Sequence, residues 1–309
     1  MDIKALAKLN LTFEVLGRRD DGYHEIKSIM QTIDLADQLN IEAAESLSVE
    51  CDDPELAGDA NLVWKAATEL AKARKIQPRA KIRLNKRIPV AMGLGGGSSD
   101  AAATLVALNR LWDLGMKTED LALVASDVGS DVSFFLWGGT ALVEGRGERV
   151  SPLPSVPPMN FTLIFPDIMV LDKTKTMYSR LTRANYSDGG VTGRMLQILA
   201  GGQAVRESVR GCVYNAFEDL ASWEFPMLAD MRRDVAAQGG PDLRLCGAGP
   251  ALFTIPGSDM EHQLVTETLQ PRGAGVYLVS TVSNGPLVAP IESDAADCRS
   301  ADIAGKSPG

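Results

Sequence analysis

The chain has 309 residues, enough for two domains of roughly 150 residues each, and its 45% hydrophobic content excludes wholesale disorder. Forty acidic and 31 basic residues give a formal charge of −9, which argues against a general nucleic-acid-binding protein because phosphate backbones attract basic surfaces. A small anionic substrate is still compatible with this charge, since a local nest of backbone amides binds phosphate even in an acidic protein.

The first predicted element is a strand. Apolar and polar residues alternate over Lys8–Val15, which predicts a strand with one buried and one solvated face. A second apolar run at residues 26–44 is strand-like in its parts. Helical spacing predicts a helix over Asn61–Ala73, and renewed alternation predicts a strand over residues 81–89 that ends at Pro89.

A glycine-rich segment, Gly93–Asp100, then runs directly into a strong helix pattern at residues 101–114. Another helix is predicted to begin at Thr118 and to end near Gly129. A strand-like segment over residues 137–150 closes the first half of the chain.

The second half begins after the proline-rich segment Ser151–Pro158, which we interpret as a domain boundary. We therefore expect an N-terminal domain over residues 1–153, a C-terminal domain over 154–285 and a disordered tail over 286–309. Strand patterns occur at residues 161–170, 243–255 and 275–282, and helical patterns at 176–182, 191–199, 225–238 and 261–269. Because strands and helices do not strictly alternate, the pattern predicts an α+β fold rather than a doubly wound sheet.

Cysteine and histidine usage argues against a zinc site and a disulfide scaffold. The four cysteines lie far apart, and His24 and His262 are the two histidines of the sequence. We therefore expect no metal site built from protein side chains. The first twenty residues contain no uncharged hydrophobic region and no run of 18 apolar residues occurs, so we expect a cytoplasmic protein without a membrane partner.

The glycine-rich segment predicts a phosphate cradle. Successive glycines let backbone amides converge on an anion, and the following helix directs its free N–H groups and positive dipole end to the same point. Ser98 and Ser99 add hydroxyl donors there; the alternative is a tight turn with a capped helix. The segment differs from the P-loop motif G-x-x-x-x-G-K-[ST], because no lysine follows the glycines. It also differs from the dinucleotide-binding motif G-x-G-x-x-G, because Ser98 replaces the last glycine.

The remaining candidate residues do not by themselves indicate a functional site. A second glycine turn, Cys246–Pro250, is either a second wall of a ligand site or a hairpin turn. Asp131 fits a helix cap, and Lys8 on a polar strand face fits a solvated lysine. Tyr23–His24 fits a surface loop, and Tyr178 fits a core position.

Taken together, these segments resemble the GHMP kinases, which phosphorylate galactose, homoserine, mevalonate and phosphomevalonate. The central motif of that family is similar to Pro89–Ala102. The remaining matches, in the order of the family, are Ala7–Leu11, Gly17–His24, Gly129–Val132, Val213–Glu218 and Gly247–Gly249. They are similar to the branch whose substrate is 4-diphosphocytidyl-2-C-methyl-D-erythritol, and the resemblance spans about residues 5–283.

The resemblance implies two α+β domains with the active site in the cleft between them. It implies ATP as phosphoryl donor, Mg²⁺, and phosphorylation of the 2-hydroxyl of 4-diphosphocytidyl-2-C-methyl-D-erythritol in the non-mevalonate route to isoprenoid precursors. The expected partner is this small molecule, with no nucleic acid and no membrane. We expect a monomer or a weak homodimer.

The resemblance also implies the site residues. Asp131 would orient or deprotonate the substrate hydroxyl, with Lys8 beside it. The residues implied for ATP are Asn61, Lys86, Pro89, Gly93, Leu94, Gly95, Gly96, Gly97, Ser98 and Ser99. The residues implied for the substrate are Asn10, Tyr23, His24, Tyr178, Gly247 and Gly249. The sequence departs from the family at Cys246 and Ala248, where Ser or Thr is common, so a hydroxyl contact is missing there.

The sequence leaves two alternatives open. One is another GHMP kinase, acting on mevalonate or homoserine, although those substrates offer no base for Tyr23 and His24 to bind. The other is a non-catalytic nucleotide-binding protein, which would have no need for both Lys8 and Asp131.

Overall fold

The computed structural model describes residues 1–168, 173–202 and 204–283. The strands are β1 (Asp2–Arg18), β2 (His24–Glu42), β3 (Ser48–Cys51), β4 (Lys81–Asn85), β5 (Thr140–Gly145), β6 (Arg149–Pro152), β7 (Asn160–Phe165), β8 (Tyr214–Asn215), β9 (Arg244–Leu245), β10 (Leu252–Thr254) and β11 (Gly275–Ser280). The helices are α1 (Leu62–Arg74), α2 (Gly96–Leu111), α3 (Thr118–Val128), α4 (Val132–Trp137), α5 (Lys173–Arg180), α6 (Gly190–Ala200), α7 (Arg206–Arg210), α8 (Glu218–Glu224), α9 (Pro226–Ala237) and α10 (Asp259–Leu269). The expected α+β class is confirmed.

The first sheet is built on the long antiparallel pair β1 and β2. Its seven strands have the order β3-β4-β2-β1-β8, and β5 pairs with both β2 and β6. The apolar run expected to be strand-like in its parts forms one strand of 19 residues, β2. Helix α2 packs on β1 and β2, and the small residues Ala102, Ala103 and Ala107 are among its buried positions.

The second sheet has the antiparallel order β11-β7-β10-β9 and is covered on both faces. Because side chains alternate along a strand, Leu163 and Ile164 of β7 enter different cores. Leu163 packs in the core that contains Leu9 and Leu11 of β1. Ile164 packs in the core that contains apolar residues of α9 and α10, so the second sheet lies between these helices and the first sheet.

The polar face of β1 is buried, contrary to the solvated face predicted from the alternation. Lys8, Asn10, Thr12 and Glu14 are all buried. The covering groups come from both halves of the chain: Lys8 donates to Gly93 and lies near Asp131, and the Glu14 carboxylate accepts hydrogen bonds from two backbone amides in the first turn of α6. A negative carboxylate at a helix N-terminus is stabilising, which explains a buried acid inside a strand.

The chain passes from the first sheet to the second between Pro152 and Asn160. The domain limits at residues 153 and 285 stay predictions, since β8 returns to the first sheet. The expected tail over 286–309 lies outside the described residues. None of the helices in the described ranges is long and apolar enough to span a bilayer.

Candidate active site

The glycine-rich segment forms one wall of a cavity of about 520 Å³. Gly95 precedes α2 in a left-handed conformation, so the segment leads directly to the free amides of the first helical turn. Nine of the residues expected to bind ATP line this cavity: Asn61, Lys86, Pro89, Gly93, Leu94, Gly95, Gly96, Gly97 and Ser98. Ser99 is fully buried in α2 and is not among the lining residues.

Glycine is required at position 93 because the second glycine turn approaches it. Gly93 has φ 86°, and a Cβ there would lie 1.9 Å from the carbonyl oxygen of Cys246. The turn at Cys246–Pro250 is the hairpin between β9 and β10, and Gly247 also lines the cavity. The hairpin interpretation of this turn is confirmed, and its role as a wall of a ligand site stays a prediction. Gly249 is directed elsewhere, because a Cβ there would meet the side chain of Leu245.

The Lys8 ammonium connects three parts of the site. Lys8 and Asn10 lie on the same face of β1, and Lys8 Nζ donates to Asn10 Oδ1 at 2.7 Å. Lys8 Nζ also donates to the carbonyl oxygen of Gly93 at 3.0 Å and lies 3.6 Å from Asp131 Oδ2. Only 3% of Lys8 is exposed, so it is not a solvated strand lysine.

Asp131 faces the cleft rather than capping the helix that follows it. It occupies the N-cap position of α4, yet its side chain accepts no capping hydrogen bond. The side chain is 33% exposed and lines both the 520 Å³ cavity and a neighbouring cavity of about 1060 Å³. The carboxylate is therefore accessible to a ligand that extends from one cavity into the other.

The second cavity carries the predicted aromatic residues. Tyr23, His24 and Tyr178 line it together with Tyr186, and Tyr178 also lines the first cavity. The ring centroids of His24 and Tyr178 are 5.2 Å apart, and those of His24 and Tyr186 are 6.0 Å apart. The arrangement offers aromatic faces and edges to a planar ring.

The titration state of these rings suits recognition of a neutral base. Burial, together with the charge of Arg18, lowers the pKa of His24, so its imidazole is neutral at pH 7 and presents one donor and one acceptor. Burial, together with the charge of Asp131, raises the pKa of Tyr178, so its phenol keeps its proton. Tyr23 is 52% exposed, and the guanidinium of Arg146 stacks 5.2 Å from its ring centroid.

Lys86 belongs to a buried ion triad as well as to the first cavity. Its ammonium donates to Asp100 Oδ2 at 2.8 Å and to Asp37, whose other carboxylate oxygen accepts from the backbone amides of Arg87 and Ile88. Burial raises the pKa of Asp100 to about 8, although the positive charge of Lys86 acts to lower it. The two carboxylates outweigh the effect of burial on Lys86 and raise its pKa, so it stays charged. The triad ties α2 to β2 beneath the glycine segment.

The sequence interpretation did not assign several residues of the site. Asn215 lies in the matched segment Val213–Glu218, and its amide donates to the carbonyl oxygens of Leu245 and Gly247 at 2.9 and 2.8 Å. It thereby holds the second glycine turn. Asp37 is one of three acidic residues in the apolar run at residues 26–44, with Asp34 and Glu42, so the sequence did not single it out, and nothing in the spacing indicated Tyr186.

The described residues contain no group of three His, Cys, Asp or Glu side chains that could hold a metal ion. Asp131 and Asp100 are the carboxylates that line the first cavity, and Asp100 is paired with Lys86. Cys246 is fully buried, and burial raises the pKa of its thiol to about 12. Its thiol therefore stays protonated.

Comparison with known proteins agrees with this geometry. The family described as GHMP kinases N terminal domain matches residues 61–139, which include the glycine segment and Asp131. The 4-diphosphocytidyl-2-C-methyl-D-erythritol kinase of Dehalococcoides mccartyi strain 195 is 38% identical over 93% of this chain and 99% of its own. The enzyme of that name from Caldanaerobacter subterraneus is 38% identical over 82% of this chain and 87% of its own. The chain belongs to the 4-diphosphocytidyl-2-C-methyl-D-erythritol kinase family.

Solved structures support the family and its fold. A crystal structure of 4-(cytidine 5'-diphospho)-2C-methyl-D-erythritol kinase has a TM-score of 0.74 and 32% identity, covering 92% of this chain and 100% of its own. Homoserine kinase from Cytophaga hutchinsonii has a TM-score of 0.70 at 20% identity, covering 92% and 95%, which shows a shared fold. The GHMP kinase resemblance is confirmed, and as a member of the 4-diphosphocytidyl-2-C-methyl-D-erythritol kinase family the protein is an ATP-dependent kinase.

Proposed function

We propose that the protein transfers the γ-phosphoryl group of ATP to the 2-hydroxyl of 4-diphosphocytidyl-2-C-methyl-D-erythritol, a step towards isoprenoid precursors in the non-mevalonate (methylerythritol phosphate) route. One observation carries the proposal: Asp131, which lies beside Lys8, borders both cavities. The 520 Å³ cavity beside the glycine segment is called the glycine-lined cavity, and the 1060 Å³ cavity that contains Tyr23, His24 and Tyr178 is called the aromatic cavity. A donor with a triphosphate and an acceptor with an aromatic base can therefore reach the same carboxylate. The names of the relatives support this acceptor.

In the proposed reaction, Asp131 acts on the acceptor hydroxyl. An alcohol barely ionises at pH 7, so a carboxylate that accepts its proton in the transition state accelerates the transfer. Lys8 Nζ, fixed by Asn10 and Gly93, offsets the negative charge near the transferred phosphoryl group. Phosphoryl transfer otherwise depends mainly on in-line positioning and neutralisation of charge, which the glycine segment and α2 would supply through their amides.

Recognition of the acceptor is assigned to the aromatic cavity. A cytosine stacked on Tyr178, and a hydrogen bond from its edge to neutral His24, would fix that end of the substrate. Each stacked base contributes roughly 1–3 kcal/mol. Asn10, Tyr23 and Gly247 are proposed as further substrate contacts. The assignment of Gly249 is weaker, since its packing is against Leu245.

The residues of the cleft do not form a protein cage for Mg²⁺, since no group of three ligating side chains occurs among the described residues. We infer that the ion is held by ATP oxygens and water, where it neutralises phosphate charge. The expected monomer or weak homodimer and the expected cytoplasmic location stay predictions.

An ADP-release assay with ³¹P detection of the product tests the proposal. Purified protein, ATP and Mg²⁺ are offered 4-diphosphocytidyl-2-C-methyl-D-erythritol, mevalonate, homoserine or galactose in separate reactions, with D131N as the background control. We expect turnover with the cytidyl alcohol alone. Turnover only with another alcohol would replace the proposed acceptor, and ATP binding without turnover of any alcohol would support the non-catalytic alternative.

A further inference from the structure

Lys173, the first residue of α5, is a buried lysine. It is 6% exposed, and its Nζ has no hydrogen-bond partner among the residues that the structure describes. Lys173 lines both the glycine-lined cavity and the aromatic cavity. The resemblance assigned it no role, and the proposed reaction does not use it.

An unpartnered buried ammonium is unfavourable for the folded protein, because it has lost hydration without gaining a counter-charge. The two other lysines that line the glycine-lined cavity differ in this respect. Lys8 is bonded to Asn10 and Gly93 and lies near Asp131, and Lys86 is bonded to Asp37 and Asp100. An apolar side chain at position 173 would pack without this cost, which points to a function for the charge.

The surroundings of Lys173 favour an anion. Burial, together with the charge of Lys8, lowers the pKa of Lys173 to about 7, and the opposing effect of Cys246 is smaller. The other titratable groups that border both cavities beside it are Asp131 and Tyr178. Near neutral pH the amine is poised to take up a proton when a negative ligand enters the cleft.

We propose that Lys173 is a phosphate ligand, whose ammonium gains its partner when phosphate oxygens enter the junction of the two cavities. The inference rests on the proposed function, which brings phosphates from two sources to this junction. One source is the terminal phosphate of ATP, and the other is the diphosphate of the cytidyl alcohol. Both sources present the same chemistry to Lys173, and binding measurements with each ligand alone distinguish them.

The test uses K173M, K173R and the matched control K72M, which removes a lysine that is 76% exposed on α1. Dissociation constants are measured by calorimetry for a non-hydrolysable ATP analogue and, separately, for the cytidyl alcohol. We expect K173M to weaken one ligand on the order of tenfold to a hundredfold, as for loss of a charged hydrogen bond, with partial recovery in K173R. K72M should bind both ligands as the unmodified protein does. Unchanged affinity for both ligands in K173M would overturn the proposal.

A second measurement needs no variant. If ligand binding protonates Lys173, the unmodified protein takes up a proton on binding at pH 8, and affinity falls on the order of tenfold per pH unit above 7 until the pKa of the bound state is reached. The uptake appears as a dependence of the binding enthalpy on the ionisation enthalpy of the buffer. It should disappear in K173M. Absence of uptake in the unmodified protein, or its persistence in K173M, would contradict the assignment.

Failure of the inference and failure of the proposed function are distinguishable. If the protein phosphorylates the cytidyl alcohol and K173M binds both ligands with unchanged affinity, only the inference about Lys173 is overturned. If K173M binds the ATP analogue more weakly but the unmodified protein does not phosphorylate the cytidyl alcohol, only the proposed acceptor is overturned.

Discussion

Replacing Gly93 by alanine should separate the two glycine turns that border the 520 Å³ cavity. Two effects act at this position. The residue has φ 86°, and a non-glycine residue in the left-handed region costs about 1–2 kcal/mol. The added Cβ would also lie 1.9 Å from the carbonyl oxygen of Cys246, so one of the two backbones must move by on the order of 1 Å to restore a van der Waals contact.

Gly273 provides the matched control. It has φ 84°, and nothing lies within 4 Å of the Cβ that alanine would add, so G273A has the backbone strain without the steric clash. Urea unfolding should show a loss of about 1–2 kcal/mol in G273A and a larger loss in G93A. In the ADP-release assay, kcat/KM should fall on the order of a hundredfold in G93A, because displacement of reacting groups by about 1 Å has such an effect. Equal stability and equal activity of the two variants would refute the steric argument.

Three further predictions concern Asp131, Tyr178 and Lys86. D131N should reduce kcat on the order of a hundredfold to ten-thousandfold and leave the affinity for an ATP analogue unchanged, as measured by calorimetry; equal loss of affinity would indicate a structural role. Y178A should weaken binding of the cytidyl alcohol more than binding of the ATP analogue, and unchanged binding of the alcohol would exclude stacking. K86M should destabilise the fold by on the order of 3–5 kcal/mol in urea unfolding, because the buried acidic side chains of Asp37 and Asp100 lose their cationic partner. Removal of the exposed ion pair between Lys81 and Glu50 in K81M should change the urea midpoint much less than K86M does.

Local patterns predicted the elements whose signals lie within a short stretch of sequence. The helix expected over Asn61–Ala73 is α1, and the strand–turn–strand pattern at 243–255 is β9 and β10. Helix α4 was missed, because Val132–Leu136 are all buried and a six-residue helix without an exposed face shows no periodicity. The glycine segment was recognisable because all its residues are consecutive.

The residues that complete the site come from distant parts of the chain, and spacing cannot reveal their contacts. Lys8 has an ordinary position in a strand pattern, and its burial follows from contacts with the distant glycine segment and with Asp131. Asp131 fits a helix cap by sequence, and the resemblance alone assigned it to catalysis. The hydrogen-bond partners of Asp37 and Asn215 are visible only in the folded chain. The same is true of the buried Lys173 Nζ, which has no hydrogen-bond partner among the described residues.

The proposed function can be tested with a crystal structure of the protein bound to a non-hydrolysable ATP analogue and 4-diphosphocytidyl-2-C-methyl-D-erythritol. We expect the triphosphate along Gly93–Ser98, the base against His24 and Tyr178, and the 2-hydroxyl within hydrogen-bond distance of Asp131. A base bound outside the aromatic cavity, or a hydroxyl out of reach of Asp131 with both ligands in place, would contradict it.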